Sequence, residues 1–197
     1  KYYLSASYRR DGSSRFAPGH RWGNFWSVGA AWDIKSESFM DAVDQINLLK
    51  LKISYGVQGN DAIGGYYPYA DQYSLSENNG TFAAALSYKG NEEITWETSH
   101  NLNGGLDFSF FDERLNGTLE GYWRRTVDML YFKPVRPSLG YSSLPINIGS
   151  LSNAGVELEL SGDVVKTKNV TWSIYANVSY NKNKILELDP SLGGEWI

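Results

Sequence analysis

The 197-residue chain has no cysteine, two histidines and a formal net charge of -4, with an isoelectric point near 5.2, which excludes a disulfide framework, thiolate metal sites and nucleophilic cysteine chemistry. Its lysines and arginines are dispersed rather than gathered into a basic stripe, so a nucleic-acid surface is excluded too. No apolar run approaches the ~18 residues of a membrane helix, whereas a transmembrane barrel, whose strands meet lipid with every second residue only, is compatible with a mean hydropathy of -0.40.

Seven Trp, fourteen Tyr and eight Phe beside twenty Gly suit sheet with many tight turns and the aromatic girdles of outer-membrane barrels. Lys1 opens directly into a strand-like run with no signal peptide, so the natural N-terminus is expected upstream. In that first run Tyr2, Leu4, Ala6 and Tyr8 alternate with Tyr3, Ser5, Ser7 and Arg9. The second sets Trp26, Val28, Ala30, Trp32 and Ile34 against small and polar neighbours, and the third sets Leu49, Leu51, Ile53, Tyr55 and Val57 against Lys50 and Lys52, which need water on their face.

Four further runs follow: Leu102, Leu106, Phe108 and Phe110; Leu115, Leu119 and Trp123, against Glu120 and Arg124; Val156, Leu158 and Leu160, against Glu157 and Glu159; and Trp172 to Tyr180. Roughly seven runs of the length a tilted membrane strand needs are therefore expected. The connections alternate, with residues 111–114 and 164–170 short, and 10–23, 61–94 and 127–152 long and rich in Gly, Tyr, Asn, Ser and Pro. Short turns on one side and long loops on the other are the pattern of an outer-membrane barrel. Residues 35–47 are read as a periplasmic excursion with a helical turn around Phe39, Met40 and Val43. The competing soluble reading is a carbohydrate-binding β-sandwich, which has the same alternation.

Catalytic chemistry has little footing. His20 and His100 lie in different segments, and no nucleophile elbow, phosphate loop or dinucleotide fingerprint is present. No enzyme activity, metal or cofactor is expected. Glu157 and Glu159 share a strand face and could pair as acid and base, but such a pair is more often a solvated face, and hydration is likewise favoured over ligand binding for Glu92, Glu93 and Glu97 and for Arg124 and Arg125. Lys50, Lys52, Glu120, Arg124, Glu157 and Glu159 are expected to face a wet lumen. Tyr66, Tyr67, Tyr69 and Tyr73 crowd one long loop, where flat rings with polar tips could contact substrate or a partner, or pack between loops. Trp26, Trp96, Trp123 and Trp172 are expected as interfacial anchors.

Five stretches, Arg9 to Phe16, Leu49 to Asn60, Gly90-Asn91 with Trp96-Glu97, Asn147 to Leu160, and Asn177 to Lys184, together resemble the SusC/RagA-like branch of TonB-dependent outer-membrane transporters. Glu92-Glu93-Ile94 and Ala154 depart from the pattern, where a proline-containing variant and a lysine are usual. The resemblance covers nearly the whole chain but only the later part of a barrel of about 22 strands. It implies that residues 1–197 belong to the barrel domain, with the signal, TonB-contacting segment, plug and final strand outside the chain. It further implies location in the outer membrane of a Gram-negative bacterium. It implies active import of oligosaccharides, or in some members peptides, driven by the TonB complex beneath a SusD-like lipoprotein. A passive outer-membrane channel is the alternative within the same architecture.

Overall fold

Wherever the sequence alternates, the chain is extended. In a computed structural model, which describes residues 1–187, seven long strands form one antiparallel sheet: β1 (Tyr2–Gly12), β2 (Trp22–Asp33), β3 (Ile46–Asn60), β6 (Glu97–Phe110), β7 (Leu115–Pro134), β8 (Ser143–Lys166) and β9 (Thr171–Glu187), paired in that order. A separate hairpin, β4 (Gln72–Asn78) with β5 (Thr81–Tyr88), interrupts the connection from β3 to β6. β1 and β9 are the two edges, so the sheet is a stretch of barrel wall, not a closed barrel.

Directly opposed residues in antiparallel strands share a face, and the register carries one greasy row across the whole sheet. Tyr2 pairs with Trp32, and the row continues through Leu51, Leu106, Leu119 and Leu158 to Val178. One residue along, Ala31, Lys52, Gly105, Glu120, Glu157 and Ser179 make a row on the opposite face. The greasy face is open, with Leu4 86% and Val178 69% exposed. A soluble sandwich would bury that face under a second layer, and among the described residues nothing covers it.

The apolar window also drifts along the strands. It runs from Tyr2 to Tyr8 on β1 but from Trp172 to Tyr180 on β9, where Tyr180 stands level with Leu4 through Val156, Gly121, Gly104, Ile53 and Ala30. A drift of about five residues across the sheet, at ~3.3 Å per residue and ~4.8 Å per strand, is a slant of about 30°, close to the tilt of transmembrane strands. Trp172 to Tyr180 spans ~26 Å along the strand, or ~23 Å after that tilt, against ~25 Å for the lipid-facing band of such barrels. Tyr8, Trp26, Tyr55, Trp123 and Tyr180 mark its upper border.

The connections differ from the sequence expectation in extent. Most of residues 127–152 is strand rather than loop: β7 continues to Pro134 and β8 starts at Ser143, leaving 135–142 as the link. Pro145 is tolerated because that part of β8 pairs with β7 alone, β9 joining it only from Ser150 onward. The link 10–23 shrinks to 13–21 and 164–170 to 167–170. Residues 61–94 hold a hairpin turned by Asn79-Gly80, both with positive φ (49° and 77°), the signature of a type I′ turn. The excursion between β2 and β3 has one 3-10 turn, Ser38–Met40, where a helical turn was expected.

The tight turn from β6 to β7 puts Phe111, Asp112 and Glu113 in succession at φ 58°, 55° and 64°. Left-handed backbone costs a residue with a Cβ about 1–2 kcal/mol. Glu113→Gly is therefore expected to stabilise the folded barrel by roughly 0.5–1 kcal/mol once glycine's greater unfolded entropy is offset, measurable as a higher urea midpoint in bilayers.

Candidate functional site

The polar face is a charged base beneath a field of amides and hydroxyls. Lys52 lies 2.8 Å from Asp107 and 3.3 Å from Glu120. It reaches Glu120 across β6 because the intervening residue is Gly105, whose added Cβ would stand 3.3 Å from both side chains. Lys50, on the same face, places its ammonium 5.3 Å from the Tyr3 ring. Glu157 opposes Glu120 directly and Glu159 opposes Thr118. Two like charges side by side on a sheet destabilise it unless water or a cation lies over them. Farther along, Arg124 donates from Nε to Asn101 Oδ1 at 2.6 Å. The register thus gathers Lys50, Lys52, Glu120, Glu157 and Glu159 into two adjacent rows, and Arg124, farther along, joins Glu120 and Glu157 around an open recess of about 440 Å³ that Asn101, Asn103, Asn153 and Asn181 also line.

At the end bearing the long connections a small core forms: Phe16, Ile63 and Ile94 are buried, with Tyr69, Trp96, Leu130 and Phe132 packed on them. Trp96 meets Phe16 at 5.4 Å and Phe25 at 5.3 Å between ring centres, and its indole N–H donates to the Arg21 carbonyl. It is therefore a loop-core residue and not the interfacial anchor expected of it. Trp26, Trp123 and Trp172 stay exposed on the apolar face.

Polar clamps tie the same segments together. Ser13 donates to Asp61 Oδ2 at 2.6 Å and Arg15 pairs with that carboxylate at 3.2 Å. Asn147 donates to the carbonyls of Thr95 and Asp128 and accepts from the Thr95 N–H. Glu97 accepts from Asn60 and from the Leu130 N–H. Several of the most distinctive sequence stretches therefore act by fastening loops to strand ends.

The four tyrosines are not one cluster. Tyr66, Tyr67 and Tyr73 are exposed, while Tyr69 is half-buried against the loop core and meets Tyr67 edge-on at 6.1 Å. Leu75 and Phe82 of the hairpin are also exposed, which sequence reasoning missed although Asn79-Gly80 announces the hairpin. The Lys89 ammonium, 2.7 Å away, and the Gly90 N–H hold the Asp71 carboxyl below its usual value. A carboxyl depressed by folding contributes stability that is present above its unfolded pKa and lost as pH falls through the folded one. The hairpin base is expected to loosen below about pH 4, seen as faster proteolytic nicking within residues 64–90, and Asp71→Asn should abolish that pH dependence.

Comparison with known proteins agrees with this architecture. A family model described as TonB dependent receptor-like, beta-barrel, matches residues 1–197. The chain is 38% identical over 198 residues to a TonB-dependent receptor of Formosa agariphila, covering 99% of this chain and 19% of that protein. It is 33% identical over 196 residues to the TonB-dependent receptor SusC of Bacteroides thetaiotaomicron, covering 95% of this chain and 20% of that one. It superposes on the RagAB peptide importer in its closed-closed state with a TM-score of 0.88 at 33% identity, covering 95% of this chain and 21% of that chain. On the open-open state the TM-score is 0.84, with 95% and 20% covered. The chain spans about a fifth of the length of these relatives. From its sheet, its register and these relatives together, the chain belongs to the TonB-dependent receptor-like β-barrel family, as a SusC/RagA-like segment of barrel wall in the Gram-negative outer membrane.

Proposed function

We propose that this chain is part of a SusC-like importer that takes up oligosaccharides through the outer membrane, energised by the TonB complex and capped by a SusD-like surface lipoprotein. The apolar face meets hydrocarbon, and Lys50, Lys52, Glu120, Arg124, Glu157 and Glu159 face a water-filled lumen. The observation that carries this reading is the greasy row from Tyr2 to Val178 with Lys52, Glu120, Glu157 and Ser179 one residue along on the opposite face, in a single-layered sheet. Hydrocarbon on one side and water on the other satisfy both faces at once.

Oligosaccharide is favoured by Asn101, Asn103, Asn153 and Asn181, whose amide donors and acceptors, set among Glu120, Arg124 and Glu157, match a hydroxyl-rich solute. A peptide cargo is the second reading, favoured by the likeness to an importer described as a peptide transporter. Exposed Tyr73, Leu75 and Phe82 on the hairpin, beside Tyr66 and Tyr67, offer the lipoprotein a surface. In cells carrying the full-length protein, uptake of labelled oligosaccharide should stop when TonB is deleted or the proton gradient is collapsed. Uptake that survives both would mark a passive channel, and uptake of oligopeptides alone would assign the peptide cargo.

A further inference from the structure

The apolar face ends abruptly in positive charge. On β1 the next position on that face beyond Tyr8 is Arg10, on β6 the next beyond Leu102 is His100, on β7 the next beyond Trp123 is Arg125, and on β9 Lys182 and Lys184 follow Tyr180. Each lies at the end that carries the long connections. The register makes the last four neighbours: His100 opposes Arg125, Arg125 opposes Ser152, Ser152 opposes Lys184, and Lys182 opposes Ala154. Arg125 and Lys184 are thus two strands apart, ~10 Å of backbone. Among the described residues neither they nor Lys182 has an ion-pair partner, and all three are exposed. No carboxylate lies on this face between the aromatic borders, since Asp107, Glu120, Glu157 and Glu159 all sit on the other.

We propose that Arg125, Lys182 and Lys184, flanked by His100, form an outward-facing site for the phosphorylated headgroup of an outer-leaflet glycolipid. The inference rests on the assignment of the apolar face to lipid. Its occupant follows from position: a side chain one step beyond the greasy band stands at headgroup depth, where the phosphates of outer-leaflet lipid supply the opposite charge. Long lysine and arginine side chains turn their charge away from hydrocarbon toward that layer, the Tyr180 and Trp123 rings mark its depth, and closely set cations select multiply charged phosphate over zwitterionic lipid.

The test uses the full-length barrel, reconstituted with vesicles of phosphatidylcholine containing lipopolysaccharide, and counts the glycolipid that stays bound on extraction by native mass spectrometry. The variant R125Q with K182Q and K184Q is expected to retain about tenfold less or lower still. Wild type should retain a dephosphorylated glycolipid just as poorly, while the charge-conserving set R125K with K182R and K184R should bind as wild type does. Unchanged retention in the neutral variant, or equal retention of the dephosphorylated lipid, overturns the proposal, and displacement by millimolar inorganic phosphate reassigns the patch to a free anion. Wild-type barrel that fails to reach the outer-membrane fraction would instead sink the reading on which the proposal stands.

Discussion

Placing an arginine at Val178, one step inside the border set by Tyr180, is expected to destabilise the barrel by about 1–2 kcal/mol, while the same change one residue later, at Ser179, should stay within about 0.5 kcal/mol. Val178 closes the greasy row on β9 and is 69% exposed, so an arginine there displaces no packed side chain among the described residues. In water such a site would be indifferent to charge, and the predicted loss arises only if hydrocarbon solvates it. Ser179 opposes Glu157 on the polar face, where a cation gains a partner. Unfolding titrations in lipid vesicles of the full-length protein measure both. Equal costs at the two positions would show that the two faces share one solvent and would remove the basis for assigning lipid to either.

The part of this fold that the bilayer dictates is the part that could be read from sequence. Between Tyr2 and Tyr180 the seven runs had to alternate because lipid and water lie on opposite sides, and their register follows from that constraint. Beyond the greasy band the constraint lapses. The upper halves of β7 and β8 have water around them and carry Pro134, Pro145 and Gly149, which read as loop although the backbone is paired through most of them. The hairpin β4–β5 was missed because its apolar face is short, Tyr73 and Leu75 opposite Leu86 and Ala84 before Glu77 breaks it, although the Asn79-Gly80 turn was there to be seen. The polar-face residues were legible as a set by parity. Their partners were not, since Lys52 reaches Asp107 and Glu120 from strands more than fifty residues away in sequence. Trp96 was misjudged because an aromatic at a strand end serves a loop core and a membrane interface alike, and only the neighbours Phe16 and Phe25 distinguish the two.

Those neighbours set the second large effect. Phe16→Ala should cost about 3–5 kcal/mol, the usual price of truncating a wholly buried phenylalanine, but the loss should be confined to the loop assembly. Phe16 is 0% exposed and joins residues from three connections, with Ile63 and Ile94 beside it and Leu130 and Phe132 arriving from the upper part of β7. Removing the ring leaves a cavity that the polar clamps cannot close, because Asp61, Asn147 and Glu97 fix backbone at the periphery of the cluster and not at its centre. The cluster meets the sheet at its upper end, through Phe25, Trp96 and the β7 residues Leu130 and Phe132, so the ladder from β1 to β9 below that level should persist. Hydrogen exchange on the full-length protein should therefore accelerate across residues 13–21 and 61–96 and remain slow across β3, β6 and β7 below Arg125, with the protein still in the outer membrane. If a lipoprotein lid docks on the hairpin, as proposed, import should fall with the loops. Wholesale loss of the barrel would mean instead that the loop core helps to specify the wall itself.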